Sequence, residues 1–268
     1  MMTRVLVALI AIPFFLAACY AGGLLFFGLA LILGILAEYE LIGIARKKSA
    51  DPSAALGYLA VAALIANAYF RFIEFELLIM LIVLPIVILE MFRNRGSSVI
   101  NIGSTFLGIF YIGIAMSSLV LIREYFTEPE YVRGALIVFT ILAAIWVCDS
   151  AAYFGGLSLG KHKLFPRVSP KKSWEGAVFG FVFAMATVLA AKYWLLQFLG
   201  WDNAVVIGLI VGIMGQLGDL AESWLKRDAG IKDSSQLIPG HGGIFDRFDS
   251  LIAVAPLVYV YLKLFVKS

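Results

Sequence analysis

Histidine and cysteine are nearly absent from this 268-residue chain, which holds only His162 and His241, Cys19 and Cys148. Two histidines build neither a histidine metal triad nor an HExxH site. Both cysteines lie in apolar runs, so a disulfide framework is not expected and no zinc spacing exists. Charge is scarce too. Asp, Glu, Lys and Arg make up 15% of the chain, against about 25% in an ordinary soluble domain. The formal net charge of +3 is too small and too scattered to point to nucleic acid. The chain shows no internal repeat and no low-complexity tract, and no gap between its apolar runs would hold a soluble domain.

What is present is apolar surface. With 62% hydrophobic residues and a mean hydropathy of +0.96, one water-soluble core cannot hide it, and the chain reads as an integral membrane protein. Runs long enough to cross ~30 Å of hydrocarbon, roughly 20 residues each, fall near 4–20, 22–45, 53–71, 75–92, 98–122, 132–155, 174–199, 203–225 and 246–266. The expected fold is therefore all-α, a polytopic membrane protein with about nine transmembrane helices. Eight or ten are alternative parses, because only Ala21, Gly22 and Gly23 separate the first two runs and the last carries Asp246, Arg247 and Asp249 in its first turn. Leu16-Ala17-Ala18-Cys19 resembles a lipoprotein cleavage box. Hydrophobicity resumes after Gly23, however, and a first membrane helix is the better reading. Under the nine-helix parse, fifteen Lys and Arg fall on one side of the membrane and six on the other. The positive-inside rule then places the N-terminus and the 156–173 and 226–245 loops in the cytoplasm.

Charges inside the apolar runs cost several kcal/mol each unless they face a partner or a cavity. Asp219, Glu222 and Lys226 are spaced i, i+3, i+7 and share one helix face, while Asp246 and Asp249 are i, i+3 at the opening of the last helix. Asp149 is a further intramembrane acid. Carboxylates converging from these faces would repel one another, and a hard divalent cation with oxygen ligands, Mg²⁺ above all, relieves that. The alternative is a set of salt bridges such as Glu222 with Lys226 or Asp246 with Arg247.

The loops add cations and glycines. Lys161 to Gly176 reads K-H-K-L-F-P-R-V-S-P-K-K-S-W-E-G, and Pro170 after Ser169 suits a helix start. A helix N-terminus flanked by Lys171 and Lys172 would bind an anion; the plainer reading is that these lysines only enforce topology. Gly240-His241-Gly242-Gly243 would let backbone amides approach a phosphate, or is a tight turn. Gly155 to Lys161, G-G-L-S-L-G-K, matches the opening of a P-loop, but His162 stands where Ser or Thr must hold the metal and a membrane helix precedes it.

Residues Ser223 to Asp249 resemble the motif of the phosphatidate cytidylyltransferase (CDP-diacylglycerol synthase) family. S-x-L-K-R, K-D, P-G-H-G-G and D-R-F-D occur in order and without departure. D-S-A-A-Y-F-G-G at 149–156 and the Lys161–Gly176 stretch resemble the family as well, so the likeness covers the C-terminal half. Residues 1–140 match only in being helical and apolar, and are expected to be scaffold and lipid-facing, with 141–268 carrying the catalytic and nucleotide site. The resemblance implies transfer of the cytidylyl group of CTP to phosphatidate in phospholipid biosynthesis, with Mg²⁺ and room for a second cation. The resulting expectation is that Asp219, Asp246 and Asp249 hold metal, with Glu222 or Asp149 as an outer or alternative ligand. Lys226, Arg227, Lys232 and Arg247 are expected at the lipid phosphate and departing pyrophosphate. Ser169, Lys171, Lys172 and the Gly240–Gly243 loop are expected at the triphosphate, and Ser223 and Asp233 complete the substrate-binding set. The implied partners are CTP, phosphatidate, the bilayer and a second copy in a homodimer, in an inner or plasma membrane with the site facing the cytoplasm. A CTP-dependent polyprenol kinase and a transporter are the rival readings.

Overall fold

The computed structural model describes residues 2–237 and 242–267, with side chains from residue 9. Each expected apolar run is helical among the described residues. The helices are α1 (Met2–Ala21), α2 (Gly23–Lys47), α3 (Ala54–Phe70), α4 (Phe75–Arg93), α5 (Ser98–Gly108), α6 (Ile114–Arg123), α7 (Val132–Leu159), α8 (Trp174–Trp194), α9 (Trp201–Asp228) and α10 (Phe245–Phe265). A π-helical turn, Ile109–Gly113, joins α5 to α6, so that Ser98–Arg123 forms one span. Gly22 and Gly23 adopt positive φ of 66° and 57°, a left-handed geometry open to glycine, and this breaks α1 from α2. Among the described residues, seven helices are long and apolar enough to cross a membrane, and Leu9–Ala21 and Ala54–Phe70 are shorter apolar stretches. The protein is thus all-α and polytopic.

The chain packs as two units, residues 1–121 with 228–247 and residues 122–227 with 248–268. The expected functional division at residue 140 does not follow this packing, which returns the 228–247 segment to the N-terminal helices. In the first unit α2 lies against α3 and the π-helical turn, burying Ala37, Leu41, Val61, Ile65 and Ile112. Its loops are braced by a polar network. Arg93 donates to the Asp51 carboxylate at 2.8 Å and to Glu90 at 2.7 Å, and Asn101 donates to Glu90 at 2.7 Å while accepting from the Asp51 amide at 2.7 Å. Buried Glu90 and Asn101 are tolerated because each has such partners.

In the second unit α7 and α8 pack along much of their length, and small residues permit it. A Cβ on Gly176 would lie 2.6 Å from the Ala152 carbonyl oxygen and 3.0 Å from Gly156 Cα; one on Gly180 would lie 3.0 Å from the Cys148 carbonyl. Membrane helices lacking a hydrophobic drive between them associate through such close backbone approach. Between these helices the chain forms a short antiparallel hairpin, β1 (Lys163–Phe165) with β2 (Ser169–Ser173). Gly176→Ala is expected to destabilise the fold by about 1–3 kcal/mol, because backbone must move to admit the methyl group. Gly28→Ala, with nothing within 4 Å of the added Cβ, should change stability by less than about 0.5 kcal/mol. Thermal unfolding of both variants in detergent checks the contrast, and equal shifts would contradict it.

Candidate active site

Helix α9 carries the polar face foreseen from spacing. Glu222 and Lys226 are both buried and pair at 2.7 Å one turn apart, so the salt-bridge alternative is realised for these two. Asp219, half-buried one turn earlier, receives the Lys172 ammonium from β2 at 2.6 Å, and Ser223 lies 3.4 Å from its other oxygen. Helix α10 brings Asp249, whose carboxylate accepts from the Ser250 amide at 2.6 Å. Gly218 makes this meeting feasible: a Cβ there would stand 2.6 Å from the Asp249 carbonyl oxygen and 2.8 Å from Ala253 Cβ. Asp219, Glu222 and Asp249 each offer one carboxylate oxygen, and the three lie within 4.8 Å of one another. Asp149 on α7 is in electrostatic range of Asp219 and Asp249.

Asp219, Glu222 and Asp249 thus gather in this unit beside the ammonium groups of Lys172 and Lys226, with Asp149 in electrostatic range of Asp219 and Lys172. The excess of negative charge and the all-oxygen donor set fit a hard divalent cation. They do not fit a soft metal, which would select thiolate or imidazole.

The hairpin corrects one expectation. Ser169-Pro170 does not open a helix. Ser169 pairs with Phe165 and Ser173 with Lys163 across the strands, and α8 begins only at Trp174, where the Ser173 hydroxyl accepts from the Gly176 amide at 3.2 Å. Pro170 is accommodated because a two-stranded ribbon consists of edges, where a missing donor is tolerated. Lys172 therefore reaches Asp219 from a strand, while Lys171 is exposed. Glu175, in the first turn of α8, accepts from the amides of Lys161 at 3.1 Å and His162 at 3.2 Å and meets the His162 ring at 2.6 Å. That closes the stretch once compared with a P-loop into a loop held by a carboxylate.

Most of the remaining motif residues belong to the first unit. Asp246 accepts from the amides of Ser234, at 3.1 Å, and Gly243, at 2.9 Å. Lys232, Asp233 and Arg247 are exposed there, as is Arg227 at the end of α9 in the second unit. Gly242 has φ +87°. Gly240 and His241 lie outside the described residues. Sequence reasoning passed over Glu40, a fully buried acid on α2 whose carboxylate accepts from Ser234, Ser235, Ile244 and Phe245. The signal for it was present: Glu38 and Glu40 are the two acids inside the 22–45 apolar run.

A family model described as "Cytidylyltransferase family" matches residues 2–265. The chain belongs to the cytidylyltransferase family. Among curated relatives, a phosphatidate cytidylyltransferase of Bacillus subtilis (strain 168) is 34% identical over 99% of this chain and 98% of its own length. One of Staphylococcus epidermidis is 32% identical over 98% of this chain and 99% of its own. A phosphatidate cytidylyltransferase of Brucella suis is 44% identical over 59% of this chain, so this chain matches just over half of that relative, 56% of its length. For this cytidylyltransferase family member, the meeting of α9 with α10 at Gly218 is the geometric requirement of the acidic cluster. Gly218→Val should force the two helices apart and lower turnover by at least about tenfold, with retained solubility and helical content. Normal turnover in that variant would show that the cluster does not need this contact.

Proposed function

We propose that this protein transfers the cytidylyl group of CTP to phosphatidate, giving CDP-diacylglycerol and pyrophosphate, in phospholipid biosynthesis. The observation that carries the reading is the grouping of Asp219, Glu222 and Asp249 within 4.8 Å, with Lys172 on Asp219, in a chain similar over nearly its whole length to named phosphatidate cytidylyltransferases. A phosphate monoester has a second pKa near 6 and is mostly dianionic at pH 7, so phosphatidate is itself the nucleophile and no strong base is needed. Its phosphate oxygen bonds to the α-phosphorus of CTP, the bond from that phosphorus to the α,β-bridging oxygen breaks, and pyrophosphate leaves carrying that oxygen and the electron pair. The obstacle is the assembly of roughly six negative charges. Catalysis is therefore positioning and charge neutralisation.

Asp219 and Asp249 would hold Mg²⁺, with Glu222 and Asp149 beside them. The ion supplies Lewis-acid stabilisation of charge on the phosphoryl oxygens when bound. Lys172 holds Asp219 in place and, with Ser169 and Lys171, faces the triphosphate. Lys226, Arg227, Lys232 and Arg247 serve the lipid phosphate and the leaving pyrophosphate, and Ser223, Asp233, Gly242 and Gly243 complete the binding set together with Gly240 and His241. An apolar cavity of about 430 Å³ between α7 and α8, lined by Val147, Phe154, Leu159, Phe179 and Phe183, is suited to an acyl chain. The excess of Lys and Arg on one side supports a site at the cytoplasmic face of the cell's inner or plasma membrane, where CTP is supplied, and the family resemblance supports a homodimer as the working assembly.

Two measurements test this. Purified protein in detergent with CTP labelled in the cytosine, Mg²⁺ and phosphatidate should move label into lipid and release pyrophosphate. Label left in CDP with phosphorylation of an added polyprenol would make it a kinase, and no turnover of either lipid would reopen transport. Asp219→Asn and Asp249→Asn should each lower turnover by at least about 100-fold and raise the Mg²⁺ needed for half-maximal rate. Wild-type turnover and Mg²⁺ dependence in both variants would remove the metal assignment.

A further inference from the structure

Glu40 sits on α2 seven residues before its end at Lys47, about 10 Å along the helix axis, and its side chain is buried. Partners offset the cost of an acid at such depth, and for Glu40 they come from a segment almost 200 residues later. Its Oε2 accepts from the Ser234 hydroxyl and from the Phe245 amide, both at 2.8 Å. Its Oε1 accepts from the Ser235 hydroxyl at 2.6 Å and from the Ile244 amide at 2.9 Å. Two donors on each oxygen fill the acceptor capacity of the carboxylate. Ile244 and Phe245 open α10, whose first amides have no partner within the helix and favour a negative charge. Asp246 draws the Ser234 and Gly243 amides to the same place at 3.1 and 2.9 Å. Gly243 is required by the closeness of the packing, since a Cβ on it would overlap both the Ser234 hydroxyl and Glu40 Oε2.

We propose that Glu40 is a positioning residue of the nucleotide site: one buried carboxylate ties down the chain both before and after the P-G-H-G-G motif and so sets the placement of Lys232, Asp233, Gly242, Gly243 and the first turn of α10. This rests on the proposed function for its catalytic consequence, whereas the latch itself is a property of the fold. Glu40 touches no reacting group. It acts by holding the groups that do, and the binding step most exposed to its loss is that of the triphosphate.

The test uses full-length protein in detergent, with Glu40→Gln as the main variant and the double variant Ser234→Ala/Ser235→Ala as a second that leaves the membrane helix untouched. Amide hydrogen exchange is followed over 233–237 and 242–247, with α7 and α8 as internal reference. Steady-state kinetics are measured with CTP and phosphatidate varied separately. Glu40→Gln should speed exchange in the two segments by at least about tenfold without changing the reference helices. It should raise KM for CTP by at least about tenfold, with a smaller rise in KM for phosphatidate through Lys232 and Arg247. The serine variant should move both readouts in the same direction and less far. Unchanged exchange in the two segments would overturn the proposal. So would a fall in kcat with both KM values unchanged, which marks only a smaller folded fraction. If wild-type protein moved no cytidylyl label into lipid, the proposed function would fail while the exchange comparison still judged the latch.

Discussion

A carboxylate placed within a membrane helix is costly unless it finds a cation, a hydrogen-bond donor or water, and several acids of this protein are placed to meet that demand. Helix α9 answers it within one element by setting Lys226 one turn after Glu222. Asp219 answers it across elements, through Lys172 on the hairpin. Asp249 is brought to the same spot because Gly218 lets two backbones come closer than side chains would allow. With Asp149 nearby, negative charge still exceeds the positive charge of the two lysines. A cluster of carboxylates interleaved with lysines suits chemistry that brings a divalent cation and phosphates together.

The same constraint acts in the other unit with a different solution. Glu40 is satisfied without any cation, by two hydroxyls and two amides, and Glu90 by Arg93 and Asn101. Hydrogen bonds to a charged acceptor are stronger than neutral ones, and leaving the donors of a buried group unmet costs the desolvation of each. Polar side chains in the apolar helices therefore serve as ties between distant parts of the chain.

Much of this was legible in the sequence, and the limits have physical reasons. The apolar runs located the helices because hydropathy over about 20 residues is a strong signal, and the spacing of Asp219, Glu222 and Lys226 placed them on one face. The hairpin was missed because Ser169-Pro170 satisfies the local rule for a helix start; pairing with Lys163–Phe165 depends on a partner strand that local rules do not see. The contact of Lys172 with Asp219 spans 47 residues, and the partners of Glu40 are still more remote, so spacing along one helix could not reveal either. Glu40 lay in the half of the chain whose likeness to the family was merely that of apolar helices, and its importance became visible only through the donors that surround it.

The central claim is that the oxygens of Asp219 and Asp249 form the seat of a divalent cation. Crystals of the protein grown with CTP and Mn²⁺, measured at the manganese absorption edge, test it most directly. The account predicts an anomalous peak within about 2–2.6 Å of an oxygen from each of these carboxylates, lost in Asp219→Asn. A peak bound by other residues, or none at this cluster while CTP is present, would contradict it.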